Sequence, residues 1–295
     1  MSAATFVTAQ LMRALPRARI SHIVGDLAKA PLAPLVARMV VGAYSRAYHV
    51  DLSDAAARTG WRTFDDFFTR ALRPGARPLQ GGAESIVSPA DGTLSSTSRV
   101  REGGTFAVKG RPYSVAELVG SAVEAQRFHG GAGFVVYLSP RDYHRVHAPV
   151  AGAIHRIRCM PGDYFPVNAV GMRHVPNLFC RNRRVAIEID MAGGMGRVTV
   201  VMVVAMIVGR ITTVGIEEDD VPAGEHAFDP PLRVARGDQL GVFHLGSTVV
   251  VLVDGRMAGP WLAGEGPIQY GQAVVRTRDT MPSLVYSASA KQGKS

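Results

Sequence analysis

A chain of 295 residues with 47% hydrophobic and 19% charged residues has globular composition and enough apolar mass for a sizeable core, which excludes a wholly disordered protein. Two cysteines, Cys159 and Cys180, are too few for a disulfide-stapled scaffold. The net charge of +9 implies affinity for polyanions, nucleic acid and anionic lipid alike. No uncharged stretch reaches the roughly 18 residues of a membrane span; Val198 to Gly209 is the purest apolar run and reads as a buried strand. Arg13, Arg17, Arg19 and Lys29 interrupt any signal-peptide core, so the mature chain is expected to start near Met1.

Residues from about Leu11 to Tyr48 read as helical, in pieces that Pro31 and Pro34 separate. Ile20, Ile23, Val24 and Leu27 share one stripe; Leu35, Val36, Met39, Val40 and Ala43 share another. Arg13, Arg17, Arg19, Lys29, Arg38 and Arg46 stand against the lone acid Asp26. Such faces suit a helix lying among anionic headgroups, or a cover over the core with a solvated basic face; the residues alone favour the cover. Thr63 before Phe64-Asp-Asp-Phe-Phe68 predicts a capped helix start, with both acids at its positive end and Phe64, Phe67 and Phe68 turned inward.

The breaker-rich run Arg73 to Gly82 marks a boundary, giving a helical region over 1–75, a β-rich region over 76–286 and a polar tail over 287–295. Beyond Ile86, short valine- and isoleucine-rich runs predict strands at Gly133–Leu138, Gly152–Cys159, Val185–Ile189, Val198–Val208 and Val249–Val253. Ser114-Val-Ala-Glu117 has the pattern of a capping box and opens a short helix ending near Gly120. Ser88-Pro-Ala-Asp-Gly-Thr-Leu94 and Ala148-Pro-Val-Ala-Gly-Ala-Ile154 are both Pro-x-x-Gly turns opening a strand. With Arg236-Gly-Asp-Gln-Leu-Gly-Val-Phe243 they give the grammar of a barrel-sandwich. The expected fold is α+β and β-dominated: a barrel-sandwich-like body with an N-terminal helical, membrane-binding region.

Three features could carry chemistry. Leu245-Gly-Ser-Thr248 lies between two apolar runs and alone reads as a tight bend; Val249 stands where a nucleophile elbow needs its second glycine. Ser139-Pro-Arg-Asp-Tyr-His-Arg-Val-His-Ala-Pro149 sets His144 and His147 three apart, facing one way if the turn is helical. No further ligand set accompanies them, so acid–base work or core hydrogen bonding is favoured over metal binding. Asp91 lies in a Pro-Ala-Asp-Gly turn and could merely bond its own backbone. Together, one Ser, two His and one Asp are the ingredients of a proton-transfer triad.

The ordered strings Ser139-Pro-Arg-Asp-Tyr-His-Arg-Val-His147, Pro161-Gly-Asp163, Val175-Pro-Asn-Leu-Phe179, Arg181-Asn182 and Leu245-Gly-Ser-Thr248 resemble the phosphatidylserine decarboxylase family in its bacterial, membrane-associated form. Matches run from Phe67-Phe-Thr-Arg70 to about Val253. The resemblance implies self-cleavage between Gly246 and Ser247, leaving chains 1–246 and 247–295. Ser247 becomes a covalent pyruvoyl group that forms a Schiff base with phosphatidylserine and yields phosphatidylethanolamine. It further implies His147 as the base of cleavage, Asp91 as the acid completing the triad, and His144 as a residue of the decarboxylation step, here the candidate proton donor. No external cofactor and no metal are expected. The implied partners are phosphatidylserine and an anionic membrane surface, at the cytoplasmic face of the cell membrane as a peripheral protein. Homo-oligomerisation stays open.

Two readings compete. A serine hydrolase could use Asp91, His147 and Ser247 with an intact chain, and a noncatalytic barrel-sandwich lipid-binding module would explain the Pro-x-x-Gly turns but not the Asp, His and Ser set. Nucleic-acid binding rests on charge alone and is not expected.

Overall fold

The computed structural model describes residues 16–206 and 210–278; the expected tail 287–295 and the start of the helical region before Pro16 lie outside them. Three helices come first: α1 (Arg17–Lys29), α2 (Pro34–Tyr48) and α3 (Phe64–Phe68). The break falls where the prolines stand, and Pro34 occupies the first turn of α2, where its missing N–H costs nothing. α3 has the predicted cap in its reciprocal form: Thr63 Oγ1 accepts from the Asp66 N–H at 2.9 Å, and the Asp66 carboxylate accepts from the Thr63 N–H at 3.0 Å.

α1 and α2 turn small residues inward. Ser21, Ala28, Ala37 and Val41 are buried, whereas Ile23, Leu35, Val36 and Val40 are exposed, with Leu27 and Met39 at 67% and 65%. Most of the two stripes read from the sequence therefore faces away from the body, while Ile20 and Val24 are half-buried and Val24 packs against Ala28, Phe68 and Leu245. A plain core cover, the reading that the residues alone favour, would bury such large side chains. Arg17 reaches the Asp163 carboxylate with two bonds of 2.8 and 2.6 Å and lies over the Phe165 ring, fixing α1 to the body.

The body is β-dominated. Its largest sheet is antiparallel, with strands β2 (Gly92–Arg99), β5 (Ala132–Leu138), β7 (Gly152–Met160), β8 (Arg184–Asp190), β9 (Arg197–Val204), β11 (Gly224–Val234), β13 (Ser247–Val253) and β15 (Gly266–Ile268). Their spatial order is β11-β7-β8-β9-β13-β5-β2-β15. A second sheet joins β6 (Arg145–His147), β10 (Arg210–Thr213) and β12 (Gln239–His244), and a third joins β1 (Ser85–Val87), β14 (Ala258–Trp261) and β16 (Ala273–Thr277). β3 (Thr105–Val108) and β4 (Arg111–Ser114) form a hairpin.

Every residue of β9 and β13 is buried, which is why these strands read as continuous apolar runs rather than alternating ones. β9 stops at Val204, short of the expected Val208; residues 207–209 lie outside the described ones. All three predicted turns open strands, β2, β7 and β12. At Gly92 a Cβ would stand 2.3 Å from the Tyr137 carbonyl oxygen, so close strand approach demands glycine there. The helix Val115–Val119 ends at Gly120 with φ 70°, as expected. Ser114 Oγ accepts from the Glu117 N–H, but no bond from the Glu117 side chain closes the box among the described residues.

The Arg181-Asn182 string is structural. Asn182 is fully buried, its Oδ1 accepts from the Phe165 N–H, and its Nδ2 donates to the carbonyls of Phe165 and Val204. Asn182→Ala leaves buried backbone groups unpaired and is expected to lower stability by about 2–4 kcal/mol. Urea unfolding checks this through a reduced midpoint at unchanged slope.

Candidate active site

Strand order brings the three chemical motifs to one edge. Thr93 of β2, Tyr137 of β5 and Thr248 of β13 stand side by side in register. Asp91 enters β2, the Ser139–His147 segment leaves β5, and Gly246-Ser247 enters β13, so all three issue from the same end of neighbouring strands. Backbone bonds tie the segment down: His147 N–H donates to Pro89 O at 2.8 Å, and Phe243 N–H donates to His144 O at 3.0 Å. Asp142 shapes the turn that precedes the histidines, since its carboxylate accepts from both the N–H and the Oγ of Ser139 at 2.7 Å.

Ser247 is the first residue of β13, paired to Leu138 on one side and Val204 on the other. It is 1% exposed, and its Oγ has no hydrogen-bond partner. Before it, Leu245 adopts φ 89°, a conformation that side-chain-bearing residues rarely hold. Gly246 and Ser247 border a cavity of about 590 Å³ whose walls include Leu27, Val40 and Tyr44 of the first two helices, Phe68 and Tyr137. That cavity links the buried serine to the outward apolar stripe.

His144 flanks Gly246: the point where a side chain on Gly246 would begin lies 3.9 Å from His144 Nε2. Its Nδ1 stands 2.9 Å from the Asp142 carbonyl oxygen, which can only accept, so Nδ1 carries the proton and Nε2 presents a lone pair. That Nε2 is buried without a partner. Phe68 packs on the ring at 4.0 Å. Burial, and after it the nearby Arg70 guanidinium, push the pKa down from 6.5 to about 3, so the ring rests neutral. Arg70 is itself buried, with Nη2 donating to the carbonyls of Arg141 and Asp142.

His147 is buried among other partners. Its Nδ1 donates to Gly237 O at 2.8 Å, its Nε2 lies 3.0 Å from Tyr143 Oη, and Tyr270 stacks on the ring at 4.0 Å. Desolvation lowers its pKa as well. Asp91 does not orient this ring by hydrogen bonding, as a triad would have it. Arg77 takes both its oxygens through Nε and Nη2, and the Tyr270 N–H takes Oδ1 at 2.8 Å. Asp91 reaches His147 only through its charge, which favours the protonated ring. No hydrogen bond joins His147 to Ser247, whose Oγ is unpartnered.

The histidine spacing also needs correcting. His147 lies in strand β6, not on a helical turn, and an odd offset in extended chain sends the two rings to opposite sides. Among the described residues no group of three His, Cys, Asp or Glu is placed to hold a metal. Sequence reasoning missed Arg77, Tyr143, Gly237 and Tyr270. Arg77 was visible only as part of a breaker-rich linker, and Tyr270 lies 123 positions from the ring it covers, so local pattern carries no signal for either.

The two depressed histidines predict acid sensitivity. Between pH 6.5 and the folded values, the unfolded chain binds protons that the native one refuses, so stability is full above 6.5 and falls as pH drops towards 3. Each ring contributes at most about 1.4 kcal/mol per pH unit. Urea unfolding at pH 7.5 and 5 should show a smaller loss for His144→Gln than for the wild type; an equal loss would contradict the burial effect.

Residues 64–276 match the phosphatidylserine decarboxylase family. The phosphatidylserine decarboxylase proenzyme of Myxococcus xanthus (strain DK1622) is 37% identical over 249 residues, 83% of this chain and 88% of that protein. That of Shewanella sp. (strain MR-7) is 35% identical over 287 residues, 94% of this chain and 96% of its own. That of Acinetobacter baumannii (strain ATCC 17978) is 39% identical over 251 residues, 84% and 87% of the two chains. With the family match spanning most of the chain and these relatives covered nearly end to end, the protein belongs to the phosphatidylserine decarboxylase family.

Proposed function

We propose that this chain is a phosphatidylserine decarboxylase that breaks itself between Gly246 and Ser247 and converts Ser247 into a pyruvoyl group. The observation that carries this reading is the pair of buried, unpartnered polar atoms beside Gly246: Ser247 Oγ and His144 Nε2. A hydroxyl and an imidazole lone pair left free on either side of one peptide bond are available to react there.

Ser247 Oγ can attack the adjoining Gly246 carbonyl through a five-membered ring, and proximity supplies the rate that a weak nucleophile lacks. The C–N bond breaks and Gly246 becomes an ester of the serine oxygen, freeing the Ser247 amine. Loss of the Ser247 Cα proton expels the Gly246 carboxylate and leaves dehydroalanine, which takes up water and releases ammonia as the ketone forms. Gly246 has no side chain to crowd the tetrahedral carbon. In this reading His147 is the base, with Asp91 biasing it by charge. Its Nε2 is tied to Tyr143 Oη, so Tyr143 must turn aside as the serine proton transfers.

When formed, the pyruvoyl group supplies a ketone conjugated to an amide, which takes up the electrons released with carbon dioxide. His144 rests neutral and therefore begins as a proton acceptor. Its free Nε2 takes up a proton only as carbon dioxide leaves and passes it to the carbon left behind, which sharpens its role from donor alone to a brief acceptor then donor. Phe68, Leu138 and the other apolar walls disfavour a carboxylate, and so favour its departure as neutral carbon dioxide.

The outward stripe of Ile23, Leu27, Leu35 and Met39, beside the exposed Arg19, Arg38 and Arg46, suits helices lying in an anionic headgroup layer at the cytoplasmic face of the membrane. No helix among the described residues is long and apolar enough to cross a membrane. The cavity beside this stripe gives a lipid headgroup a path to Ser247 while its acyl chains stay in the bilayer.

Intact mass of the wild type should show residues 247–295 as a separate chain with a pyruvoyl end, and Ser247→Ala should remain whole. An uncut wild type with esterase activity would instead favour the serine hydrolase. His147→Ala is expected to stay uncut, and His144→Ala to be cut but turn over at least about 100-fold more slowly. The reverse pattern moves the base role to His144. In flotation with anionic vesicles, replacing Ile23, Leu27, Leu35 and Met39 by serine should cut binding at least about tenfold; unchanged flotation counts against the membrane face.

A further inference from the structure

We propose that Asp65 and His244 form a clasp that positions the Gly246–Ser247 bond for self-cleavage, an inference that rests on the cleavage reading above. His244 ends β12, two residues before Gly246. Its Nδ1 lies 2.9 Å from both oxygens of Asp65, and its Nε2 lies 3.2 Å from Thr212 Oγ1. Asp65 also receives Arg210 Nη2, and all three charged or titratable side chains are largely buried. Asp65 is not needed to cap α3, because Thr63 and Asp66 already close that cap between themselves.

On the other side of the bond, Ser247 is locked into β13 by strands on both flanks. Only Leu245 and Gly246 span the distance between the clasped imidazole and the locked serine. Leu245 crosses it at φ 89°, with its side chain among Val24, Ala28, Tyr44, Phe64 and Phe68. The five-residue helix α3 thus touches each part of the arrangement: Asp65 holds His244, Phe64 and Phe68 pack on Leu245, and Phe68 packs on His144. Attack by Ser247 depends on the direction in which the Gly246 carbonyl faces, and a backbone held at both ends has little freedom to turn it. His244 does not touch the reacting atoms; it is a positioning residue.

The test follows the cleavage rate of the full chain after cell-free synthesis, by appearance of the 247–295 fragment. His244→Leu and Asp65→Ala should each slow it at least about tenfold, and the double variant should be little slower than either, because both remove one shared constraint. His244→Asn, whose amide reaches the position of the imidazole Nδ1 and can still donate to Asp65, should restore the rate to within about threefold of wild type. Unfolding midpoints, read in the uncleavable Ser247→Ala background, separate positioning from folding. Slowing without a matching loss of stability, with rescue by asparagine, supports the clasp. Wild-type cleavage by His244→Leu, or slowing that tracks lost stability and is not rescued by asparagine, overturns it. A wild type that never releases residues 247–295 sinks the cleavage reading itself, and the clasp with it.

Discussion

Ser247 begins a strand that is hydrogen-bonded on both sides, and the site depends on that constraint. β13 lies between β9 and β5 with all seven residues buried, so the serine cannot drift from the end of the ladder. The same ladder would keep a cleaved protein in one piece. A break before Ser247 puts β13 through β16 on the small chain, and those strands pair with β9 and β5, with β2 and with β1 of the large one. The new terminus would therefore arise where the sheet already holds it, with no refolding required.

Ordinary folding rules are broken within a few residues of this point. Leu245 holds a left-handed backbone, which costs on the order of 1–3 kcal/mol. Ser247 Oγ and His144 Nε2 are buried without partners, each at about 1–3 kcal/mol. Caps on α3, glycine where strands press together and an uninterrupted apolar ladder hold the fold around them. Three such departures meeting around one peptide bond suit a reactive site.

Much of the fold was legible because it is local. The prolines divided the helices, Thr63 and Ser114 marked helix starts, and valine-rich runs gave β5, β7, β8, β9 and β13. The face that α1 and α2 present was not legible. Their small residues Ser21, Ala28 and Ala37 look incidental in a hydrophobic stripe analysis, yet they make the buried face. The candidate site followed the same division. Asp91, His144, His147, Gly246 and Ser247 could be named from motifs, but their partners come from strand order. Asp65 read as a helix-dipole acid and proves to hold a histidine 179 positions away. The two histidines were placed on one face because their spacing suggested a helix, and the strand separates them.

The fate of Asp91 bears on which chemistry the site suits. In a hydrolytic triad the carboxylate bonds the imidazole and stabilises its protonated form through many cycles. Here Arg77 and the Tyr270 amide occupy that carboxylate, His147 donates to a neutral carbonyl instead, and burial works against a charged ring at both histidines. An imidazole so placed accepts a proton briefly and returns it. That serves a single intramolecular rearrangement, in which the departing amine of Ser247 lies next to its own hydroxyl and can take the proton at once. It serves repeated acyl transfer to water poorly, because there the protonated base must persist until a separate leaving group is placed. The arrangement of charge around His147 therefore argues for a serine used once on its own chain over a serine that acts as a recycling hydrolase.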